Sequence, residues 1–180
     1  MAEMTSLRTQ QIEFVGGGDA HEVAAEMLEK ALAYCTEKAQ VAGREAAVSC
    51  VVAGDAAVTS YFHYSLAKQA AAYLGEWDQD VQSAYVFDDE ATPEDVCFGE
   101  ACRPLVHLLL RVERKTAALT ALVATLDRAL AAQLPAVLGV EGQEYVLDVQ
   151  MVDNTEVTNR TGYGALLFSL QRGPIQIWGR

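Results

Sequence analysis

Residues 104 to 133 read PLVHLLLRVERKTAALTALVATLDRALAAQ and join two different hydrophobic patterns. The almost unbroken apolar run at residues 105 to 110 is short enough for a strand that is buried on both faces. After a charged corner, four leucines recur every three or four residues, which places them on one face of a helix: Leu119, Leu122, Leu126 and Leu130. The stretch therefore predicts a buried strand followed by an amphipathic helix that packs back on the sheet.

Segments of the same two kinds precede this stretch. Apolar spacing predicts helices at residues 20 to 39 and from about 56 to 74, and Gly75 is expected to end the second one in a left-handed conformation. The second helix carries an apolar stripe formed by Val58, Phe62, Leu66 and Ala70. Short apolar runs predict strands at residues 46 to 52 and 81 to 87.

The C-terminal third continues the alternation. The long helix is expected to end at Pro135, and alternating residues predict a strand at residues 144 to 152 near a sheet edge. The spacing of Asp153 and Glu156 is typical of a capping box and predicts a short helix to about Thr161. The final apolar runs are either a hairpin or a helical turn followed by a strand: residues 165 to 170 and 175 to 178.

The order of these elements predicts an α+β fold. From residue 46 it matches the ferredoxin-like β-α-β-β-α-β pattern, with an added N-terminal helix and a C-terminal β segment. We expect a single α+β domain at residues 19 to 180, preceded by a tail or short strand at residues 1 to 18. An alternative counts residues 10 to 15 as a strand and predicts a three-layer α/β sandwich with a mostly parallel sheet.

Charge restricts the classes of partner. The 180 residues carry a net charge of −12, which repels phosphate backbones and anionic lipid surfaces. We therefore expect neither nucleic-acid nor membrane binding. Nine acidic residues and no Lys or Arg lie between residues 69 and 102, which suits a basic protein partner. The first residues contain no apolar signal region, so we expect a cytoplasmic location.

Cys97 and Cys102 form a C-x4-C pattern. Structural zinc sites pair two close cysteines with a second pair of Cys or His, and no second close pair is present in the sequence. We therefore predict no metal site, and the sequence does not identify a cofactor. In a reducing compartment the two cysteines are expected as free thiols. A reversible Cys97–Cys102 disulfide is the alternative.

His63, Tyr64 and His107 are the candidate pocket residues. His63 and Tyr64 lie beside the apolar stripe of a predicted helix, and His107 lies inside the predicted buried strand. A histidine with a tyrosine neighbour can line a pocket and act as a general base. Each histidine also has a structural interpretation: His63 as a half-exposed surface residue and His107 as a hydrogen-bonded core residue.

Three functions are compatible with these features. Few candidate catalytic groups and ample apolar surface favour a non-catalytic module that forms a homodimer and can bind a small ligand. In that hypothesis the C-terminal β segment covers the bare face of the sheet, in its own chain or in its partner's. The second hypothesis is a small metabolic enzyme with a cleft near His63 and His107. The third is an acidic module that binds a basic protein through residues 76 to 100.

Overall fold

The computed structural model describes residues 19–87, 106–171 and 173–180. In chain order its helices and strands are α1 (Ala20–Lys38), α2 (Arg44–Ala53), α3 (Ala56–Trp77), β1 (Val81–Val86), β2 (Val106–Val112), α4 (Ala117–Leu138), β3 (Leu147–Asp153), α5 (Asn154–Asn159), a 3₁₀ helix (Gly162–Phe168) and β4 (Ile175–Gly179). The predictions for the tail or strand at residues 1 to 18 and for Cys97 and Cys102 lie outside the described residues.

The four strands form one mixed sheet in the order β3-β2-β1-β4. Strand β1 is antiparallel to both β2 and β4, whereas β2 is parallel to β3. The α+β class is confirmed. The ferredoxin-like order is not confirmed, and the described residues do not form the mostly parallel sheet of the alternative, because two of their three strand pairings are antiparallel.

The predicted strand at residues 46 to 52 is wrong, because this segment belongs to helix α2. Its buried residues are Ala47 and Val51, which are four positions apart and so share one helical face. Gly54 ends the helix in the left-handed conformation. A short apolar run rich in valine does not by itself distinguish a strand from a buried helix, and here packing against α1 and α3 selects the helix.

The main core lies between the helices and one face of the sheet. Helix α3 packs on β1, β2 and β4, and α1 packs against α3 and α4. The predicted stripe of α3 is fully buried, and three of the four predicted leucines of α4 are buried as well: Leu119, Leu126 and Leu130. The periodicity therefore identified both helices and the side that each one buries.

The opposite face of the sheet carries a smaller apolar cluster. Leu109 of β2 and Val152 of β3 pack there with Val157 of α5, and Leu167 of the 3₁₀ helix covers part of them. Strand alternation explains the two faces, since Val106, Leu108 and Leu110 belong to the main core while Leu109 points the other way. We call this side the second face of the sheet.

Two predicted helix ends lie too early in the chain. Helix α3 continues past Gly75 to Trp77, because Trp178 of β4 packs against the bare glycine backbone. Helix α4 continues through Pro135 for one more turn and ends at Gly139, which has a left-handed conformation and donates its N–H to Pro135 O. The predicted ends were wrong because both residues are compatible with a helix in these positions.

The C-terminal segment takes the second of its two predicted forms, a helical turn followed by a strand. Strand β4 pairs with β1 at the edge of the sheet, so within its own chain it does not cover a bare face of the sheet. The predicted capping box is present, since Asp153 and Glu156 each accept the other's backbone N–H. Strand β3 lies at the other edge of the sheet, as its alternating sequence indicated.

Among the described residues, only α4 has the length and composition of a membrane-spanning helix. Core helices of soluble proteins often have the same properties. In this fold the leucine face of α4 belongs to the main core, and α4 packs against α1.

Candidate functional site

His63 belongs to the helical layer on the main-core face of the sheet, His107 points to the opposite face, and Tyr64 lies apart from both. His63 lies on α3 and His107 on β2, and these two elements pack together. A positive charge on His107 lowers the pKa of His63. Tyr64 follows His63 by roughly 100° around the helix. Its exposed ring lies 6.0 Å from the ring of Tyr34 on α1, so Tyr64 belongs to a different surface.

His107 is held by a carboxylate from the neighbouring strand. The parallel register of β2 and β3 sets His107 beside Asp148, and the Nδ1–Oδ2 distance is 2.9 Å. An ionised carboxylate only accepts hydrogen bonds, so we assign the ring proton to Nδ1. In the neutral ring the lone pair then lies on Nε2. This is the orientation that a general base or a hydrogen-bond acceptor requires.

Asp148 is held in turn by Gln150. The amide Nε2 of Gln150 donates to Oδ1 of Asp148 at 2.8 Å, so both carboxylate oxygens accept a hydrogen bond. Residues two apart on a strand share a face, which places Gln150 and Asp148 on the same side as His107. We call His107, Asp148 and Gln150 the His107 site. It lies on the second face of the sheet, where β2 and β3 begin.

Two aromatic rings border the His107 site. Phe87 follows β1, and its ring centroid is 5.6 Å from that of His107. On its other side, Phe87 lies 6.0 Å from the ring of Tyr163 on the 3₁₀ helix. Tyr163 is 40% exposed, whereas Phe87 packs against the second-face cluster. We call Phe87 and Tyr163 the aromatic wall.

His63 has a buried ring nitrogen that lacks a partner. Its Nε2 is inaccessible to solvent and makes no hydrogen bond within the described part of the chain. Burial, and secondarily the positive charge of His107, lowers the pKa of His63 to about 4. The ring is therefore neutral at pH 7. Because buried polar atoms are nearly always hydrogen-bonded, this nitrogen is unusual among the described residues.

No metal centre is formed by the described residues, since no three His, Cys, Asp or Glu side chains converge there. Cys35 is buried in α1, and its Sγ donates to Leu32 O. Burial raises the pKa of this thiol, which disfavours the reactive thiolate. Cys35 therefore acts as a small core residue.

One open depression of about 300 Å³ lies on the surface of α5. Two asparagines and two threonines line it, and none of them titrates: Asn154, Thr155, Thr158 and Asn159. The depression offers hydrogen bonds but no acid or base. The His107 site is therefore the stronger candidate for chemistry.

Asp148 and Gln150 were not identified as site residues from the sequence. The alternating sequence at residues 144 to 152 predicted the strand that carries them. Their partner was missing, because His107 is 41 positions away and only the parallel pairing of β2 with β3 joins the two strands. The chain matches no protein-family model, and no curated protein or solved structure is similar to it, so the chemistry of the site itself must indicate a function.

Proposed function

We propose that the protein binds a small polar ligand at the His107 site and that Nε2 of His107 accepts a hydrogen bond from it. The observation that carries this proposal is the 2.9 Å contact between His107 Nδ1 and Asp148 Oδ2. This contact orients the ring and leaves Nε2 as the acceptor. The His107 side chain is 23% exposed, so a ligand can approach it.

The same arrangement is suited to proton transfer. Once a ligand hydroxyl or N–H is bound to Nε2, its proton can move to the ring, and Asp148 stabilises the resulting imidazolium. Gln150 keeps the carboxylate in place during this step. A small enzyme that uses His107 as a general base is thus the catalytic form of the proposal.

Nuclear magnetic resonance of the histidine rings tests the proposal. Fragments that carry a hydroxyl or an amide are added to the ¹⁵N-labelled protein, and the ring signals of His107 are followed. We expect at least one fragment to shift these signals at millimolar concentration, and we expect the His107→Gln variant to lose its binding. His21→Gln is the matched control, because His21 lies on the surface at the start of α1. The proposal is refuted if the fragments bind His107→Gln and His21→Gln equally well, or if no fragment shifts the ring signals of His107.

Self-association through β4 is a second candidate function. Strand β4 is an edge of the sheet, Ile175 is 66% exposed on it, and Leu170 just before it is fully exposed. An exposed apolar edge strand is a template for pairing with another copy. We expect light scattering to report a dimer at micromolar concentration, and Ile175→Lys to convert it to a monomer. A wild-type monomer would exclude this candidate.

The acidic segment supports a third candidate. The proposal that residues 76 to 100 bind a basic protein is based on charge alone. Such binding should weaken steeply as salt is added. A cytoplasmic location is likewise proposed from the sequence.

A further inference from the structure

We propose that the ligand of the His107 site is a neutral aromatic compound that carries a hydroxyl group next to its ring. This inference rests on the proposed function and adds the chemical class of the ligand to it. It depends on a separate observation, the position of the aromatic wall beside His107.

The aromatic wall continues the site in one direction. The three rings of His107, Phe87 and Tyr163 follow one another at centroid distances of 5.6 and 6.0 Å, with interplanar angles of 48° and 55°. These are the distances and tilts at which aromatic rings attract one another. In the proposed complex the ligand ring adds to this row and its hydroxyl group donates to Nε2 of His107.

Exposure shows where a ligand ring can make contact. Phe87 is partly buried against Leu109 and Val152, so it is fixed in place by the second-face cluster. Tyr163 is 40% exposed and is supported on one side by Phe87. The wall thus combines a rigid ring with an accessible one. A surface of this kind binds a planar ring at little cost in side-chain entropy.

Charge disfavours an anionic ligand. The carboxylate of Asp148 accepts hydrogen bonds from His107 and from Gln150 and places a negative charge in the site. The net charge of −12 repels anions. A neutral compound that donates one hydrogen bond to Nε2 avoids this repulsion.

Benzyl alcohol and cyclohexylmethanol form a matched pair of probes. Each has one hydroxymethyl group on a six-membered ring, and they differ in the aromaticity of that ring. We expect benzyl alcohol to bind roughly threefold to tenfold more tightly, as followed by the ring signals of His107. A surface that binds the ring through the hydrophobic effect alone would favour cyclohexylmethanol, which is the more apolar compound.

Variants of the wall separate this inference from the proposed function. Tyr163→Leu should remove the preference for benzyl alcohol while both probes still bind His107, and Phe87→Leu should act in the same direction. Tyr145→Leu is the control, because Tyr145 is similarly exposed but lies outside the wall. Equal binding of the two probes to the wild type would overturn the aromatic inference and leave the proposed function intact. If neither probe shifts the ring signals of His107, the aromatic inference and the proposed function are both contradicted.

Discussion

Gly75 of α3 lies directly against the indole ring of Trp178 in β4, so that a side chain at position 75 would occupy the space of that ring. Arg180 reinforces the contact. Its Nη2 donates to Gly75 O, and its Nε donates to Val81 O at 3.1 Å. The last strand is thereby anchored to the C-terminal end of α3, and the glycine is required by this packing.

Gly75→Ala should destabilise the protein, although the same change inside an ordinary helix adds about 0.5–1 kcal/mol of stability. The new methyl group would displace Trp178, and overpacking of this kind costs about 1–3 kcal/mol. Urea unfolding of Gly75→Ala, Trp178→Ala and the double variant measures the coupling between the two positions. In the Trp178→Ala background, Gly75→Ala should be neutral or stabilising. A loss of the same size in both backgrounds would show that Trp178 is not the cause.

Asp127 of α4 should hold the start of β3. Its Oδ1 accepts the backbone N–H groups of Val146 and Leu147 at 2.7 and 2.8 Å. Asp127→Ala leaves both partly buried donors without an acceptor, and we expect a loss of about 1–3 kcal/mol in the free energy of unfolding. The neighbouring Arg128→Ala is the control, since Arg128 is exposed and, within the described residues, donates to the carbonyl of Ala124 in its own helix. Equal effects of the two substitutions would contradict this role.

His63 should make the protein less stable in mild acid. Its pKa is about 4 in the folded chain and 6.5 in the unfolded chain, so between these values the unfolded chain binds more protons. Stability is therefore full above pH 6.5 and is lost as the pH falls towards 4. Between pH 7 and pH 5 the loss is up to about 2 kcal/mol.

His63→Gln tests this pH dependence by urea unfolding at pH 7 and pH 5. The lower limit avoids the range in which Glu29 and Glu156 titrate, because Arg44 and Lys115 respectively lower the pKa of these carboxyls. The variant should lose less stability than the wild type between the two pH values. His21→Gln should behave like the wild type. If His63→Gln retains the full wild-type dependence, another group is responsible.

Asp148→Asn should change the tautomer of His107. The charged acceptor that holds Nδ1–H becomes a neutral amide, so the form with the proton on Nε2 gains population. The ¹⁵N chemical shifts of the ring report the proton position, and ligand binding through Nε2 should weaken at the same time. Gln150→Ala is the matched variant, because it removes a hydrogen bond from Asp148 but leaves the contact with His107. Unchanged ring shifts in Asp148→Asn would argue against our assignment.

Local patterns accounted for much of the fold. The stripe from Val58 to Ala70 and the leucines of α4 marked two helices correctly, because burial of one helical face imposes a period that is visible in any single segment. The Asp153–Glu156 capping box was also predicted correctly, because both partners lie within one helical turn. The candidate histidines could be named in advance, but only as side chains capable of chemistry.

The remaining features depend on contacts between distant parts of the chain. Residues 46 to 52 are apolar enough for a strand or a helix, and the neighbours that bury Ala47 and Val51 determine which one forms. From the local sequence Gly75 resembles a helix end. Its contact with Trp178, far along the chain, explains why a glycine lies inside the helix. His107 becomes an oriented acceptor only when the parallel pairing of β2 and β3 sets Asp148 beside it. The sequence by itself determined the helical periods, the strand alternation and the charge, because these depend on near neighbours. Only the tertiary structure decided the strand order and the composition of the site, because free energy of packing selects among the pairings that local patterns leave open.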